Sequence, residues 1–310
     1  MNVPSADIKL KKKITEIGQF IGNTPLWELK NVFPRKEVKI FAKLEWMQLG
    51  ESVKARPAYN IIRESIFSGE MSNEKILLDA TSGNTGIAYA SIGAALRIPV
   101  TLCIPENVSS ERKNLLKMLG ATIIFTSPFE STDGAQFEAK LLAEKFPDKY
   151  FYADQYSNSN NWKAHFNHTS EEIYFQTNKE ITHFVAGLGT TGTFTGTGRK
   201  LKLLNEKIQL VSLQPETIMH GLEGWKHLET AMVPAIYDPT LADGTLSVPT
   251  NEAYNLIKIV AQKEGLLISP SSAANLAGAI KVSENIPQGA VVTIFPDNLS
   301  KYGEVLNSIN

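Results

Sequence analysis

Short apolar runs alternate with longer segments of helical period through most of the chain. The apolar runs predict strands at Ile40–Leu44, Ile76–Asp79, Val100–Ile104, Thr122–Phe125, His183–Ala186, Leu210–Leu213 and Val291–Phe295. The intervening segments predict helices that include Pro57–Phe67 and Ala135–Lys145, and Pro57 suits a first helical turn. Because parallel strands are joined by helical crossovers in this rhythm, the sequence predicts an open α/β fold with parallel sheets.

The rhythm is interrupted between Pro215 and Thr250. This segment contains Pro234, Pro239 and Pro249 and shows little periodicity. It predicts a long ordered excursion, and long loops of compact enzymes often line functional sites.

Length and charge narrow the possible functions. The 310 residues suggest two domains with a cleft. The 31 basic and 32 acidic side chains give a net charge of −1, so no nucleic-acid or membrane partner is indicated. Since no apolar stretch approaches membrane-spanning length, a cytoplasmic location is expected. The single cysteine, Cys103, lies in an apolar run and predicts an inert core thiol.

Lys54 is the first candidate for chemistry, in the segment Glu51-Ser52-Val53-Lys54-Ala55-Arg56-Pro57. A desolvated lysine can form a Schiff base with an aldehyde cofactor, and pyridoxal phosphate is the commonest such partner.

A first glycine loop, Thr81-Ser82-Gly83-Asn84-Thr85-Gly86, follows a predicted strand and opens a predicted helix. Its glycines allow close backbone approach, the helix start offers N–H donors, and the hydroxyls add further donors. The loop therefore suits a carboxylate or a phosphate. A plain capped turn is an equal alternative, because Ser, Thr and Asn are ordinary capping residues.

A second glycine loop, Gly187-Leu188-Gly189-Thr190-Thr191-Gly192-Thr193, has the same strand-to-helix setting and suits a phosphate. It also matches the dinucleotide fingerprint, with Glu216 as a candidate ribose ligand. A nicotinamide or flavin oxidoreductase therefore stays open on this loop alone, although the density of threonines and the late position argue against it.

A third polar segment, Ser269-Pro270-Ser271-Ser272, leads into a predicted helix of small residues. A serine hydroxyl can hydrogen-bond an unprotonated pyridine nitrogen. Helix capping is the alternative explanation.

Taken together, these segments resemble the cysteine synthase group of fold-type II pyridoxal 5'-phosphate enzymes over nearly the whole chain. Gly22-Asn23-Thr24-Pro25-Leu26 is similar to the opening motif of that family, and Ser52-Val53-Lys54 is similar to its lysine motif. The resemblance implies that Lys54 is the catalytic residue and forms the Schiff base, that Asn84 binds the phenolic oxygen, and that Ser271 binds the pyridine nitrogen. It implies a phosphate site made of Gly187, Gly189, Thr190, Thr191, Gly192 and Thr193, and a substrate-carboxylate site made of Thr81, Ser82, Gly83, Asn84, Thr85 and Gln155.

The resemblance also implies a reaction and an architecture. The substrates would be an O-activated L-serine and sulfide, the product would be L-cysteine, and no metal would be needed. The expected domains are 1–47 plus 157–310, which would bind the cofactor phosphate, and a smaller mobile domain, 48–156. A homodimer is expected by resemblance. The leaving group is open between acetyl and phosphate. Lys226, with His220 and His227, would favour a phosphate, and an equal alternative is that these three are surface residues without a role in binding.

Three other functions remain possible. A serine or threonine dehydratase, or a cystathionine β-synthase, would need the same cofactor residues. A non-catalytic paralogue that uses the cleft for binding is suggested by Glu51 and Ala55, where the family has other residues. Glu51 is expected to face solvent, away from the substrate.

Overall fold

The computed structural model describes residues 5–309. Its strands, in chain order, are β1 (Leu26–Glu28), β2 (Val38–Leu44), β3 (Ile76–Ala80), β4 (Val100–Pro105), β5 (Thr122–Thr126), β6 (Tyr150–Tyr152), β7 (His183–Gly187), β8 (Gln209–Pro215), β9 (Gly244–Val248) and β10 (Gly289–Phe295). A six-stranded sheet has the order β1-β2-β10-β7-β8-β9, and a four-stranded sheet has the order β5-β4-β3-β6. All neighbouring pairs are parallel except β1 with β2.

Helices connect most of the consecutive strands, and α1 and α11 lie before the first strand and after the last one. They are α1 (Ser5–Ile17), α2 (Ala55–Ser68), α3 (Asn84–Leu96), α4 (Ser110–Met118), α5 (Ser131–Lys145), α6 (Ser159–Ala164), α7 (Ser170–Gln176), α8 (Gly192–Leu204), α9 (Thr250–Glu264), α10 (Pro270–Glu284) and α11 (Gly303–Ile309). A π-helical segment, His165–Thr169, joins α6 to α7, and 3-10 turns occupy Gly18–Phe20 and Leu299–Lys301. No helix in the described part of the chain is long and apolar enough to cross a membrane.

The chain divides into two units. Unit 1 comprises Met1–Gly22, Gln48–Gly50 and Lys54–Asn161, and it contains the four-stranded sheet. Unit 2 comprises Asn23–Met47, Glu51–Val53 and Trp162–Asn310, and it contains the six-stranded sheet. The N-terminal helix thus belongs to unit 1, whereas the sequence placed 1–47 with the larger domain. The physical reason is that Leu10 and Ile14 of α1 are buried in the unit 1 core.

Each unit has its own apolar core. In unit 1, every residue of β4 is buried, as expected for a central parallel strand that is covered on both faces. Cys103 lies in this strand with no exposed surface, which confirms the predicted core thiol, and burial raises its pKa to about 12. In unit 2, the core packs α9 and α10 against the larger sheet through residues such as Val260, Leu276 and Val291.

All seven predicted strands and both predicted helices are present. The sequence missed β1, β6 and β9, which are short and only partly buried. The sequence predicted an irregular segment from Pro215 to Thr250. Residues 216–243 contain no helix or strand, as predicted, but the prediction was wrong for Gly244–Val248, which forms β9 and pairs with β8. This strand alternates half-buried and exposed positions, so its apolar signal is weak.

Candidate functional site

Lys54 lies at the N-cap position of α2 and is half-buried. Its carbonyl accepts the N–H of Ala58 at 3.1 Å, which anchors the lysine backbone at the start of the helix. Pro57 stands in the first turn, where a missing N–H removes no helical hydrogen bond. Glu51, three residues before Lys54, has a side chain that is 68% exposed, so the predicted solvent-facing orientation is confirmed.

The first glycine loop connects β3 to α3, as the sequence predicted. The Thr81 hydroxyl oxygen accepts the N–H groups of Gly83 at 3.1 Å and Gly86 at 3.3 Å, which leaves the hydroxyl proton of Thr81 to donate elsewhere. Thr81 and Thr85 are buried, whereas Ser82 and Asn84 are half-buried. A Cβ on Gly86 would lie 2.6 Å from the Thr81 methyl carbon, so this turn requires glycine.

Gln155 is brought to this loop by a chain of hydrogen bonds. The Thr85 hydroxyl donates to Gln155 Oε1 at 2.7 Å, and Gln155 Nε2 donates to the carbonyl of Ala80 at 2.7 Å. The Gln155 carbonyl in turn accepts from Asn161 Nδ2 at 2.6 Å. Because one Nε2 proton is used by Ala80, the second proton of that amide can serve a ligand. The predicted pairing of Gln155 with the loop is therefore present within unit 1.

Asp79 supports the same region, and the sequence analysis missed it. It ends up fully buried, one residue before the end of β3. Burial raises the pKa of its carboxyl from the ordinary 3.8 to about 8, and the N–H of Ala80 opposes this shift. An acid inside the apolar run Ile76-Leu77-Leu78-Asp79-Ala80 is the signal that could have identified it, because carboxyl side chains are rarely buried without a reason.

Arg112 is a second missed residue of unit 1. It is 5% exposed and comes from the first turn of α4, whose N-cap is Ser109. A Cβ on Gly83 would lie 3.2 Å from Arg112 Nε, so the guanidinium packs directly against the first glycine loop. Its positive charge favours an anion there. No sequence periodicity marks this arginine.

The second glycine loop follows β7 and leads into α8, as predicted. A Cβ on Gly187 would lie 2.0 Å from the Trp225 ring, and a Cβ on Gly189 would lie 2.0 Å from the carbonyl oxygen of Gly224. The N–H of Gly187 donates to Asn275 Oδ1 at 2.7 Å. The loop therefore needs glycine at both positions, because the Trp225 ring approaches Gly187 and the backbone of Gly224 approaches Gly189.

Thr191 has the features of a ligand-binding residue. It occupies the N-cap position of α8 with a φ of 70°, in the left-handed region, and its side chain forms no cap hydrogen bond. Its hydroxyl is buried and has no hydrogen-bond partner among residues 5–309. A buried hydroxyl without a partner costs about 1–3 kcal/mol, which a bound phosphate at the start of α8 would offset. The loop therefore fits the phosphate of the predicted cofactor.

The start of α8 is fixed by a π-helical segment that the sequence did not reveal. His165 is buried, with Nδ1 at 2.9 Å from the Thr169 hydroxyl and Nε2 at 3.3 Å from the Thr193 hydroxyl. A Cβ on Gly196 of α8 would lie 2.9 Å from the Cβ of His165. The π-helical segment thus packs tightly on the helix that follows the second glycine loop.

The serine segment begins α10, and the structure separates its two roles. Ser269 is the N-cap residue, and its hydroxyl oxygen accepts the N–H of Ser272 at 3.2 Å. Ser271 is not the cap. Its hydroxyl is 4% exposed and lies 3.2 Å from that of Ser269. The capping alternative therefore explains Ser269 and leaves Ser271 available for a ligand.

Lys226 lies beside the second glycine loop. Its N–H donates to the carbonyl of Leu188 at 2.7 Å, and the residue is only 8% exposed, so it is not a surface lysine. His220 and His227 are half-buried. Burial, and then the charge of His227, lowers the pKa of His220, so His220 is neutral at neutral pH.

The two units contain different parts of the predicted machinery. Unit 1 contains Lys54, the first glycine loop and Gln155, whereas unit 2 contains the second glycine loop, Ser271 and Lys226. Among the described residues there is no cluster of three or more histidine, cysteine or acidic side chains that could hold a metal ion.

Comparison with known proteins identifies the family. The family model described as "Pyridoxal-phosphate dependent enzyme" matches residues 17–297. The chain is 45% identical to a cysteine synthase of Aquifex aeolicus over 303 residues, which is 96% of this chain and 93% of that protein. The chain belongs to the cysteine synthase family.

Other relatives widen the range of reactions. An O-acetylserine dependent cystathionine beta-synthase of Bacillus subtilis is 34% identical over 295 residues, covering 93% of this chain and 96% of that protein. The crystal structure of an O-ureido-L-serine synthase superimposes with a TM-score of 0.89 at 27% identity, covering 95% of each chain. The predicted two-domain fold of the fold-type II kind is confirmed, and this member of the cysteine synthase family is a pyridoxal phosphate-dependent enzyme of cysteine synthesis.

Proposed function

We propose that the enzyme replaces the β-substituent of an O-activated L-serine with sulfide and releases L-cysteine. The observation that supports this most is the second glycine loop, where a buried Thr191 hydroxyl without a described partner meets the start of α8 in a chain of the cysteine synthase family. We assign the cofactor phosphate to this loop, through Gly187, Gly189, Thr190, Thr191, Gly192 and Thr193.

Lys54 would hold the cofactor through the cofactor's aldehyde carbon, and once the donor's amino group has replaced Lys54 on that carbon the cofactor would supply electron withdrawal from the donor's α-carbon. Lys54 Nζ is the base that we assign to the α-proton, because it is the amine that the incoming donor releases. Asn84 is assigned to the phenolic oxygen. Ser271 is assigned to the pyridine nitrogen, which a hydroxyl leaves uncharged, and this favours elimination of the β-substituent over transamination.

The donor's carboxylate is assigned to the first glycine loop. Thr81 can donate its hydroxyl proton, Gln155 can donate its second amide proton, and the loop N–H groups at the start of α3 add to these. Ser82, Gly83, Asn84 and Thr85 complete the proposed set. Arg112, packed against Gly83, adds a favourable charge.

The choice of donor is proposed to depend on Lys226. A phosphate leaving group would gain from this buried cation, whereas an acetyl group would not. O-phosphoserine is therefore proposed to compete with or exceed O-acetylserine. If Lys226 binds the cofactor phosphate instead, its removal would lower the activity with both donors and the affinity for the cofactor.

The test begins with the visible spectrum of the purified protein and of Lys54→Ala. The visible band of the lysine-bound cofactor should appear in the wild-type protein and be absent from Lys54→Ala. Each donor is then mixed with sulfide and L-cysteine is measured for the wild-type protein, Lys226→Ala and Lys226→Arg. The phosphate hypothesis expects Lys226→Ala to lower kcat/KM for O-phosphoserine at least about tenfold more than for O-acetylserine, the value of one charge-assisted contact. An equal loss for both donors contradicts it.

A second candidate function is cystathionine synthesis, because the relative from Bacillus subtilis that aligns with nearly the whole chain is an O-acetylserine dependent cystathionine beta-synthase. Replacing sulfide with L-homocysteine in the same assay separates the two functions. A dehydratase would release a keto acid and ammonia without any sulfur nucleophile.

A homodimer and a cytoplasmic location are also proposed from the family, and light scattering of the holoenzyme tests the proposed homodimer.

A further inference from the structure

A buried acid lies directly behind the first glycine loop. Asp79 has no exposed surface. Its Oδ1 accepts the N–H of Ala80 at 2.8 Å, and its Oδ2 accepts the N–H of Gln155 at 3.3 Å. Ala80 is the residue before Thr81. Asp79 therefore holds the two backbone segments from which the proposed carboxylate ligands project.

The contacts continue from Asp79 to the loop itself. Gln155, held through its N–H by Asp79, uses Oε1 to accept the Thr85 hydroxyl and Nε2 to bind the carbonyl of Ala80. A shift of the Gln155 backbone would change both of these 2.7 Å contacts. Since Gln155 is 2% exposed, water cannot easily replace a lost partner.

We infer that Asp79 is a positioning residue for the donor's carboxylate, holding Gln155 against the first glycine loop, and that a negative charge on Asp79 weakens binding of that carboxylate. This inference rests on the proposed function, because it concerns the same carboxylate site. It makes the affinity of the first glycine loop for a carboxylate sensitive to pH through Asp79.

The surroundings of Asp79 favour the uncharged acid. Burial raises its pKa to about 8, and the negative charge of Asp154 raises it further. The other titratable groups that sense its charge are Tyr89 of α3, Cys103 of β4, Tyr152 of β6 and Tyr156, and burial raises the pKa of each. From α5, Glu138 and Asp133 add negative charge at Cys103 and Tyr156. Burial has the largest effect on the pKa of Asp79, and the negative charge of Asp154 acts in the same direction. The N–H groups of Ala80 and Gln155 and the Tyr89 hydroxyl act in the opposite direction, but they do not outweigh burial.

Ionisation of Asp79 would place a negative charge behind a loop that must bind a carboxylate. Two like unit charges repel each other at the effective dielectric constant of about 20 that applies to partly buried sites, and about a tenfold loss of affinity is the order of magnitude expected. Arg112, on the Gly83 side of the loop, attracts the same anion. The affinity for a carboxylate should therefore fall as pH rises through the ionisation of Asp79.

The experiment measures propionate binding to the holoenzyme by intrinsic tryptophan fluorescence, from about pH 6.5 to about pH 9.5, around the expected ionisation. Propionate has no amino group, so the titration of a substrate amine does not contribute. The proteins are wild type, Asp79→Asn, and Asp148→Asn as the control. Asp148 is an exposed acid of the same unit. KM and kcat for the preferred donor are measured in parallel.

The wild-type protein and Asp148→Asn should lose about tenfold in propionate affinity across this range. Asp79→Asn should show no such loss. It should instead bind about fivefold more weakly than wild type at neutral pH, because an amide nitrogen cannot accept the Gln155 N–H. Its KM for the donor should rise while kcat changes little. A residue with a merely structural role would leave the pH profile unchanged.

A pH profile of Asp79→Asn that matches wild type, or a flat profile in wild type itself, would overturn the inference. If Asp79→Asn does not fold, the inference is tested by the pH dependence of propionate affinity in the wild-type protein and by propionate binding to Thr85→Val and Thr85→Ser. The valine variant should weaken propionate binding and keep the pH dependence, and the serine variant should restore binding; a valine variant with wild-type affinity overturns the inference. A protein that shows no cofactor band contradicts the proposed function instead, which keeps the two failures distinct.

Discussion

At the scale of single residues, the second glycine loop depends on the absence of one carbon atom. A Cβ on Gly189 would lie 2.0 Å from the carbonyl oxygen of Gly224, far inside van der Waals contact. The opposing atom belongs to the backbone, so no side-chain rotation can relieve the clash. An alanine at this position would force either the loop or residues 222–226 to move. The N–H of Lys226 is hydrogen-bonded to the carbonyl of Leu188 in the loop, so such a movement would also disturb this contact.

Gly189→Ala is therefore expected to weaken pyridoxal phosphate binding by at least about tenfold, the value of about 1.4 kcal/mol. The measurement is a cofactor titration of the apoprotein followed by the visible band. Gly244→Ala is the matched control in the same unit, because a Cβ on Gly244 meets no atom within 4 Å. Equal cofactor affinity in the two variants would contradict the assignment of the phosphate to this loop.

At the scale of elements, the π-helical segment His165–Thr169 fixes the helix that follows the phosphate-binding candidate. π-helical segments are rare and often occur at functional sites, since they insert one residue into a helix and redirect its side chains. Here the inserted geometry points His165 toward both Thr169 and Thr193, and Thr193 is in the first turn of α8.

His165→Ala removes both contacts and leaves a cavity against α8. We expect it to lower the free energy of unfolding by about 1–3 kcal/mol and to weaken cofactor binding. His168→Ala is the control, because His168 belongs to the same segment and its side chain is exposed. Urea denaturation and the cofactor titration measure the two effects. A His165 variant as stable as the control would show that the contact with Thr193 contributes nothing.

The elements that the sequence predicted well are those with strong local patterns. The strand Val100–Pro105 is buried throughout and apolar except for Thr101, and the glycine loops contain residues with well-defined turn and capping preferences. The π-helical segment has no such pattern, since its geometry depends on tertiary contacts of His165. The same holds for Arg112, whose contact with Gly83 depends on how α4 packs. The acid of Asp79 was visible in the sequence, but its link to Gln155 joins residues 76 positions apart.

At the scale of the whole molecule, pH acts on folding through the few carboxyls whose pKa changes. The pKa of Asp238 is lowered by hydrogen bonds from Arg199 and Thr240, so it favours the folded state above its unfolded pKa. Asp79 acts in the opposite direction. In the unfolded chain it ionises near 3.8, whereas in the folded chain it keeps its proton until about pH 8.

The sign of the Asp79 effect follows from counting protons. Between its unfolded pKa of 3.8 and its folded pKa of about 8, the folded chain holds the extra proton, so a rise in pH favours unfolding. The stabilising contribution is complete below the unfolded value and is lost as pH rises through the folded value. Asp79→Asn should therefore gain stability relative to wild type as pH increases from about 4 to about 8, by on the order of a few kcal/mol.

Urea denaturation of the cofactor-saturated proteins at several pH values measures this difference. Comparing two variants at each pH cancels the contributions of Asp238 and the other carboxyls, which both proteins share. The lost acceptor for the Gln155 N–H lowers the variant's stability by a constant amount, so the slope with pH, and not the offset, reports the ionisation. Asp148→Asn should run parallel to wild type. Parallel curves for Asp79→Asn as well would mean that Asp79 is already ionised in the folded protein, and the carboxylate site would then have to bind its anion against that charge.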